Sequence, residues 1–262
     1  MVGTLLLRGM LVGIVAALLS FTFLKVVGEP AVDRAIAFET QMDEAKAKAA
    51  REEAKGMPMP AGGPDYELVS RPVQAGIGLF TGVGVYSIAF GGFFALAFAL
   101  AYGRMGDFSP RATSALLALS GIIAVHVVPN LKYPANPPSI GDPGTIGMRT
   151  ALYFAMIAFS LTAMVGAWML RNRLAPRLGA WDAAIIAAAA YVVLMVIVVL
   201  ALPTVNEAPE GFPAVALWQF RIASFGAQII MWAAIGLGFG YWTERGAGAV
   251  AGSAPPPKRL RR

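Results

Sequence analysis

The chain predicts an all-α polytopic membrane protein with six transmembrane helices and both termini in the cytoplasm. Three observations carry this. Apolar residues make up 57% of its 262 residues, charged residues only 14%, and its mean hydropathy is +0.65; a soluble domain holds about 45–50% apolar and 25% charged residues. Apolar runs long enough to span recur along it, a span needing ~20 residues. Basic residues fall in alternate connections, as they do when Lys and Arg mark the cytoplasmic side.

The spans are read in order. Leu5–Val27 comes first. It exceeds the roughly 7–15-residue apolar region of a signal peptide and has no A-x-A-like site after it, so it reads as a retained helix. Its outer connection, 28–72, contains an Ala/Glu/Lys-rich helix over 31–55 with charges of alternating sign, the pattern of a water-facing surface. GMPMPAGGPD follows as a Gly/Pro linker, in which Met57 and Met59 could offer thioethers to a soft ion.

Gln74–Tyr102 is the second span, and Ala112–Val128, the shortest, is the third. Met148–Leu170, Trp181–Leu202 and Val215–Tyr241 complete the set. Small residues four apart, such as Gly78 and Gly82, Ser87 and Gly91, Ala95 and Ala99, and Gly236 and Gly240, allow close helix approach in lipid. They also make oligomerisation through helices 2 and 6 possible.

Charge fixes the expected orientation. Arg8 lies near the start of helix 1, Arg104 and Arg111 after helix 2, Arg171, Arg173 and Arg177 after helix 4, and Arg245 after helix 6. The connection PTVNEAPEGFP has Glu207 and Glu210 and no basic residue. Six spans with both ends inside satisfy every short loop, whereas five would put the basic tail outside, and this supports the short third helix. The net charge of +6 is then topological and signals no nucleic-acid partner. One membrane domain is expected over 1–245, including the outer insertion 29–72. A disordered basic cytoplasmic tail is expected over 246–262.

The candidate chemistry lies on the outer face. HVVPNLKYPANPPSIGD, starting at His126, contains the only histidine of the chain and a dense run of prolines. Such backbone survives at membrane depth only where protein holds it or water reaches it. An ionisable residue in a span is a functional candidate by default, but His126 as a metal ligand needs partners. Asp142, Glu207, Asn206, Glu29, Asp33 and the carbonyls beside Pro134, Pro137 and Pro138 can supply them. The alternative is a histidine that bonds a neighbouring helix.

Asn130, Lys132, Tyr133, Asn136, Arg149 and Arg221 read as gating or loop-ordering residues. Arg71, Arg149 and Arg221 each open a returning helix, which hints at three hairpins of similar design. Paired with carboxylates, they order the loops; unpaired, they would favour an anion or organic-solute permease. The chain has no cysteine, which excludes disulfides and thiolate sites. No H-E-x-x-H, G-x-S-x-G or Walker-type motif occurs, so an enzyme is not expected.

HVVPNLKYPANPPSIGDPGTIGMRTALY resembles the signature of the CbtA family of cobalt transporter subunits. GEPAVDRA (28–35), LPTVNEAPEGFPAVALWQFR (202–221) and the Ser224, Gln228, Trp232 spacing resemble further elements of it. The resemblance implies a multi-pass subunit of the bacterial inner membrane that takes up cobalt for cobalamin synthesis. It also implies a small single-helix partner, CbtB, often with a histidine-rich end. Family members often carry histidines in the first outer loop, and this chain has none there. Cobalt is the expected substrate, with no permanently bound cofactor. A non-transporting scaffold that binds a partner through its outer loops is the competing expectation.

Overall fold

The structure, a computed structural model, describes residues 2–53, 69–138, 140–209 and 211–252. Met57, Met59 and the linker around them, Glu210, and the last ten residues of the tail lie outside that set. Among the described residues, six helices are long and apolar enough to cross a membrane. They are α1 (Val2–Glu52), α2 (Arg71–Ala101), α3 (Pro110–Lys132), α4 (Pro143–Leu178), α5 (Ala180–Ala201) and α6 (Ala214–Gly246). The last helix continues to Gly252, so the chain stays helical past residue 245, where the sequence suggests that order ends.

Four helices form the core. α1 packs along α2 and α6, and α3 along α6. The α4–α5 hairpin joins them through α3 and the Tyr133 segment, and α5 packs on α4 alone among the larger contacts. The outward side chains of α5, such as Val193, Val196, Ile197 and Leu200, are exposed, as a lipid-facing helix requires.

Lipid tails are as apolar as leucine, so the helices hold together by close packing and buried hydrogen bonds rather than by hydrophobic burial. α1 and α2 meet backbone to backbone: a Cβ added at Gly9 or Gly91 would overlap the other helix's carbonyl. Ser114 in α3 donates to the Gly236 carbonyl of α6 at 2.6 Å, and Gly240 lies against Ser114 and Arg111. The faces at Ser87–Gly91 and Gly236–Gly240, considered above for oligomerisation, are therefore occupied within the chain. Ser160 and Tyr191, 2.7 Å apart, join α4 to α5.

The first span does not stop at Pro30. A π-helical turn, Leu24–Gly28, carries α1 straight into the outer helix. Proline has no N–H, so the carbonyl four residues earlier loses its helical donor and the ladder widens; here Glu29 N–H reaches back to the Leu24 carbonyl. A second such turn, Ile123–Val127, sits at the same offset before Pro129, where Val128 N–H reaches the Ile123 carbonyl. α3 thus continues to Lys132, and the extended segment starts at Tyr133 rather than at Pro129. A third π turn, Gln74–Gly78, lies near the start of α2.

The distal part of α1 and the segments after α3 and α5 gather at one end, the proline-rich end. Asn172 Nδ2 donates to the Arg104 carbonyl at 2.7 Å, and Arg171 reaches the Met105 carbonyl; these bonds close the opposite, basic end.

Candidate functional site

Two cavities lie one behind the other at the proline-rich end. The outer one, about 370 Å³, is lined by Asn136, Arg149, Asn206, Glu207 and Arg221 among others. The deeper one, about 570 Å³, is lined by Ser20, Tyr86, Ser87, His126, Asn130, Ser224, Gln228 and Met231 among others. Tyr133, Pro134 and Tyr153 line both and form the partition between them.

The cap over these cavities is built from side chain to backbone bonds, because the prolines leave carbonyls without helical donors. Tyr133 OH donates to the Pro203 carbonyl at 2.8 Å, and Lys132 Nζ to Thr204 Oγ1 at 3.2 Å, so the segment after α3 is tied to the segment after α5. Asn130 Nδ2 donates to the His126 carbonyl at 2.8 Å, and its Oδ1 accepts from Ala135 N–H at 3.3 Å. One amide thus closes the helix end and starts the extended chain.

Glu207 clasps the entry to α4. Its carboxylate accepts from Thr145 Oγ1 at 2.5 Å and from Asp142 N–H at 2.9 Å. Arg149 Nε lies 3.2 Å from Oε2, an ion pair without an aligned hydrogen bond. The bonds from Thr145 and Asp142 N–H, then the Arg149 charge, hold the Glu207 carboxyl below the usual carboxylate range. Asp142 is spent on its own turn, Oδ1 accepting Gly144 N–H at 2.7 Å. Asn206 lines the outer cavity beside Glu207.

The three outer arginines divide. Arg71 is bonded to Glu29 and to Asp33, the latter at 2.7 Å, which pins the outer part of α1 to the start of α2. Arg149 pairs with Glu207. Arg221 takes neutral acceptors instead: Nε donates to the Ala135 carbonyl at 3.2 Å and Nη2 to Asn136 Oδ1 at 3.0 Å. The carboxylates of the neighbouring segments go elsewhere, Glu207 to Arg149 and Asp142 to its turn, while Glu210 lies outside the described residues. Most of the positive charge that would favour an anion is thereby compensated or turned onto the loops.

The deeper cavity has a different character. His126 is buried, its ring between Phe90 and Trp232 with centroids 6.3 and 6.1 Å away. Among the described residues its Nε2 has no hydrogen-bond partner, nor do Ser87 Oγ and Gln228 Oε1, whose residues belong to the same lining. Tyr86 and Tyr153 line the same cavity. Buried polar atoms are almost always partnered, and unpartnered ones call for a missing water or ion.

Sequence reasoning puts His126, Asn130 and Tyr133 of this lining among the site residues and leaves Ser87, Tyr86, Tyr153 and Gln228 outside them. Ser224 and Gln228 stand four apart on one helical face with Trp232 a turn further, a readable signal for a polar stripe in a span. Ser87, four residues from Gly91, reads in the sequence as a packing residue. His126, Asp142 and Glu207 do not form one cluster: among the described residues no group of three or more His, Cys, Asp or Glu could hold a metal ion. His126 faces the deeper cavity, and Glu207 the outer one.

Beneath the deeper cavity the core turns aromatic. Phe94, Phe98, Trp232 and Phe239 pack edge to face there, with Ile235 in the same cluster.

The family model described as probable cobalt transporter subunit (CbtA) matches residues 2–244. No curated protein and no solved structure matches the chain.

Proposed function

Because this chain belongs to the CbtA family of probable cobalt transporter subunits, we propose that it is the membrane subunit through which a cobalt ion enters the cell for cobalamin synthesis. The observation that carries this reading is the pair of stacked cavities, the deeper one lined by the chain's single histidine with Nε2 unpartnered. The proline-rich end faces outward and both termini lie in the cytoplasm of a bacterial inner membrane. The arginine-bearing connections at the other end support this orientation. Residues 1–245 act as one membrane domain.

The ion first meets Glu207 and Asn206 in the outer cavity, where Arg149 competes for the same carboxylate. Displacing Arg149 frees the segment 142–149 to move. The ion then passes the Tyr133, Pro134, Tyr153 partition to His126. Asn130, Lys132, Tyr133, Asn136 and Arg221 order this cap, and Glu29 and Asp33 hold Arg71 at its edge. Asp142 contributes through its turn. A sparse site suits transport, since an ion must leave as readily as it arrives.

The aromatic layer below Trp232 favours a need for the partner. A small single-helix CbtB-like subunit would open that layer or bring further ligands. The same layer favours the competing reading, a scaffold that binds its partner through the outer segments and conducts nothing. Cobalt accumulation in cells expressing the chain with and without the small subunit separates the two. Uptake that needs both chains and falls in His126→Ala supports the transport reading; uptake by the small subunit alone at the same level rejects it.

A further inference from the structure

We propose that the deeper cavity is a neutral binding site for a borderline transition-metal dication, with His126 Nε2, Gln228 Oε1 and Ser87 Oγ as its protein ligands. The proposal deepens the transport reading and rests on it for the ion's route, but not for the chemistry of the site.

The ligand set follows from hydrogen bonds left unmade. Leaving a buried acceptor without a partner costs about 1–3 kcal/mol each, and this one lining holds three such atoms: an imidazole nitrogen, an amide oxygen and a hydroxyl oxygen. They come from separate helices, α3, α6 and α2. Their neighbours are already arranged around them. Gln228 Oε1 accepts no hydrogen bond from the described residues. Phe90 and Trp232 flank the His126 ring. A neutral imidazole protonated at Nδ1 presents its Nε2 lone pair, as metal-bound histidines do.

The lining contains no aspartate or glutamate among the described residues. Hard cations, Mg²⁺ and Ca²⁺, are held mainly by carboxylates and several oxygen ligands. A site with one imidazole and two neutral oxygens gives them little advantage over water, whereas imidazole favours the later first-row metals. A cavity of about 570 Å³ leaves space for waters to complete the ion's shell. The same ligands should follow the general order in which Ni²⁺ and Zn²⁺ bind at least as tightly as Co²⁺. This cavity therefore separates transition metals from Mg²⁺ and Ca²⁺ and does not separate cobalt from nickel.

The test is titration of the purified full-length chain in detergent with CoCl₂, read by calorimetry and by the visible absorption that nitrogen ligation gives Co²⁺. His126→Ala should weaken binding by more than about tenfold, since even losing a ligand's support costs 10–100-fold. Gln228→Leu and Ser87→Ala should each weaken it less, and Thr162→Ala, outside the cavity, should leave it unchanged. NiCl₂ should displace Co²⁺, and millimolar MgCl₂ should not. Ser87→Ala removes one oxygen atom from a helix and keeps the test open if the histidine variant fails to fold. No saturable Co²⁺ binding, equal binding in His126→Ala and Ser87→Ala, or displacement by Mg²⁺ would overturn the proposal. Cobalt accumulation in cells is scored separately: binding without accumulation leaves this site standing and removes the transport reading, and accumulation with no effect of the cavity variants does the reverse.

Discussion

Glu207 and Arg149 meet across two proline-rich segments, Arg149 Nε lying 3.2 Å from Glu207 Oε2, while the same carboxylate accepts Thr145 Oγ1 and Asp142 N–H. One side chain thus fastens the segment after α5 to the entry of α4. A carboxylate held below its ordinary value of 4.5 contributes stability that is fully present above that value and lost as pH falls through the depressed one. The clasp should therefore stay closed at neutral and mildly acidic pH and open only in stronger acid. Protection of the amides over 140–149, relative to their intrinsic exchange, should fall as pH drops below 4.5, and Glu207→Gln should show that lower protection already at pH 7. Equal protection in the variant at pH 7 would mean the clasp does not depend on charge.

Gly141 tests the same clasp from the other side. Its φ of +126° lies where side chains are strained, and an added Cβ would strike the Arg149 guanidinium. Gly141→Ala should displace Arg149 from Glu207 and reproduce the exchange pattern of Glu207→Gln. The six helices should stay intact, as measured by circular dichroism. A variant with wild-type exchange would show that the turn adjusts without moving the arginine.

Arg221 shows how far the loops could be read from sequence. The six spans were legible because hydropathy reports them directly, and the proline-dense segment announced itself as an ordered break. The partner of Arg221 was not legible: charge counting looks for a carboxylate, and here a proline-freed carbonyl and the Asn136 amide take the guanidinium. The π turns escaped notice for a related reason. Pro30 and Pro129 read as stops, yet each is absorbed by a widened turn two residues earlier, a choice of the hydrogen-bond ladder that composition does not encode. Ser87 could equally be read as a small packing residue or a polar ligand, and only the cavity separates these.

The fork that Arg221 makes to Ala135 and Asn136 is one lysine cannot copy, since an ammonium is a single point donor. Arg221→Lys should lower stability by up to roughly 1.5–3 kcal/mol, the range for hydrogen bonds to charged groups. Asn136→Ala should cost less, because the Ala135 carbonyl bond survives. Thermal unfolding in detergent measures both. A lysine variant as stable as the wild type would remove Arg221 from the cap.

The contact of α1 with α2 predicts an asymmetry among glycines of one helix. Gly91 lies on the Gly9 carbonyl, so Gly91→Ala should separate the helices at a cost of about 1–3 kcal/mol or more, the range for overpacking. Gly84 has nothing within 4 Å of an added Cβ. Gly84→Ala should be neutral or stabilising by up to about 1 kcal/mol, the gain in helix propensity. Thermal unfolding and expression of the two variants check this; equal effects would mean that the α1–α2 contact is not tight.

Pro129 links helix geometry to the cavity. The proline denies Val125 its helical donor, the ladder widens to the Ile123–Val127 π turn, and that extra residue sets the direction in which His126 leaves the helix. Pro129→Ala restores an N–H that can bond the Val125 carbonyl, a gain of about 1 kcal/mol. The turn can then tighten, and each residue of register in an α-helix rotates a side chain by about 100°. His126 would swing away from Gln228 and Ser87. The variant should be as stable as the wild type or more so, yet bind Co²⁺ more weakly. Stability and binding moving in opposite directions is the signature of a strained functional turn, which a simple loss of fold cannot mimic. Wild-type Co²⁺ affinity in Pro129→Ala would show that the π turn does not aim the histidine.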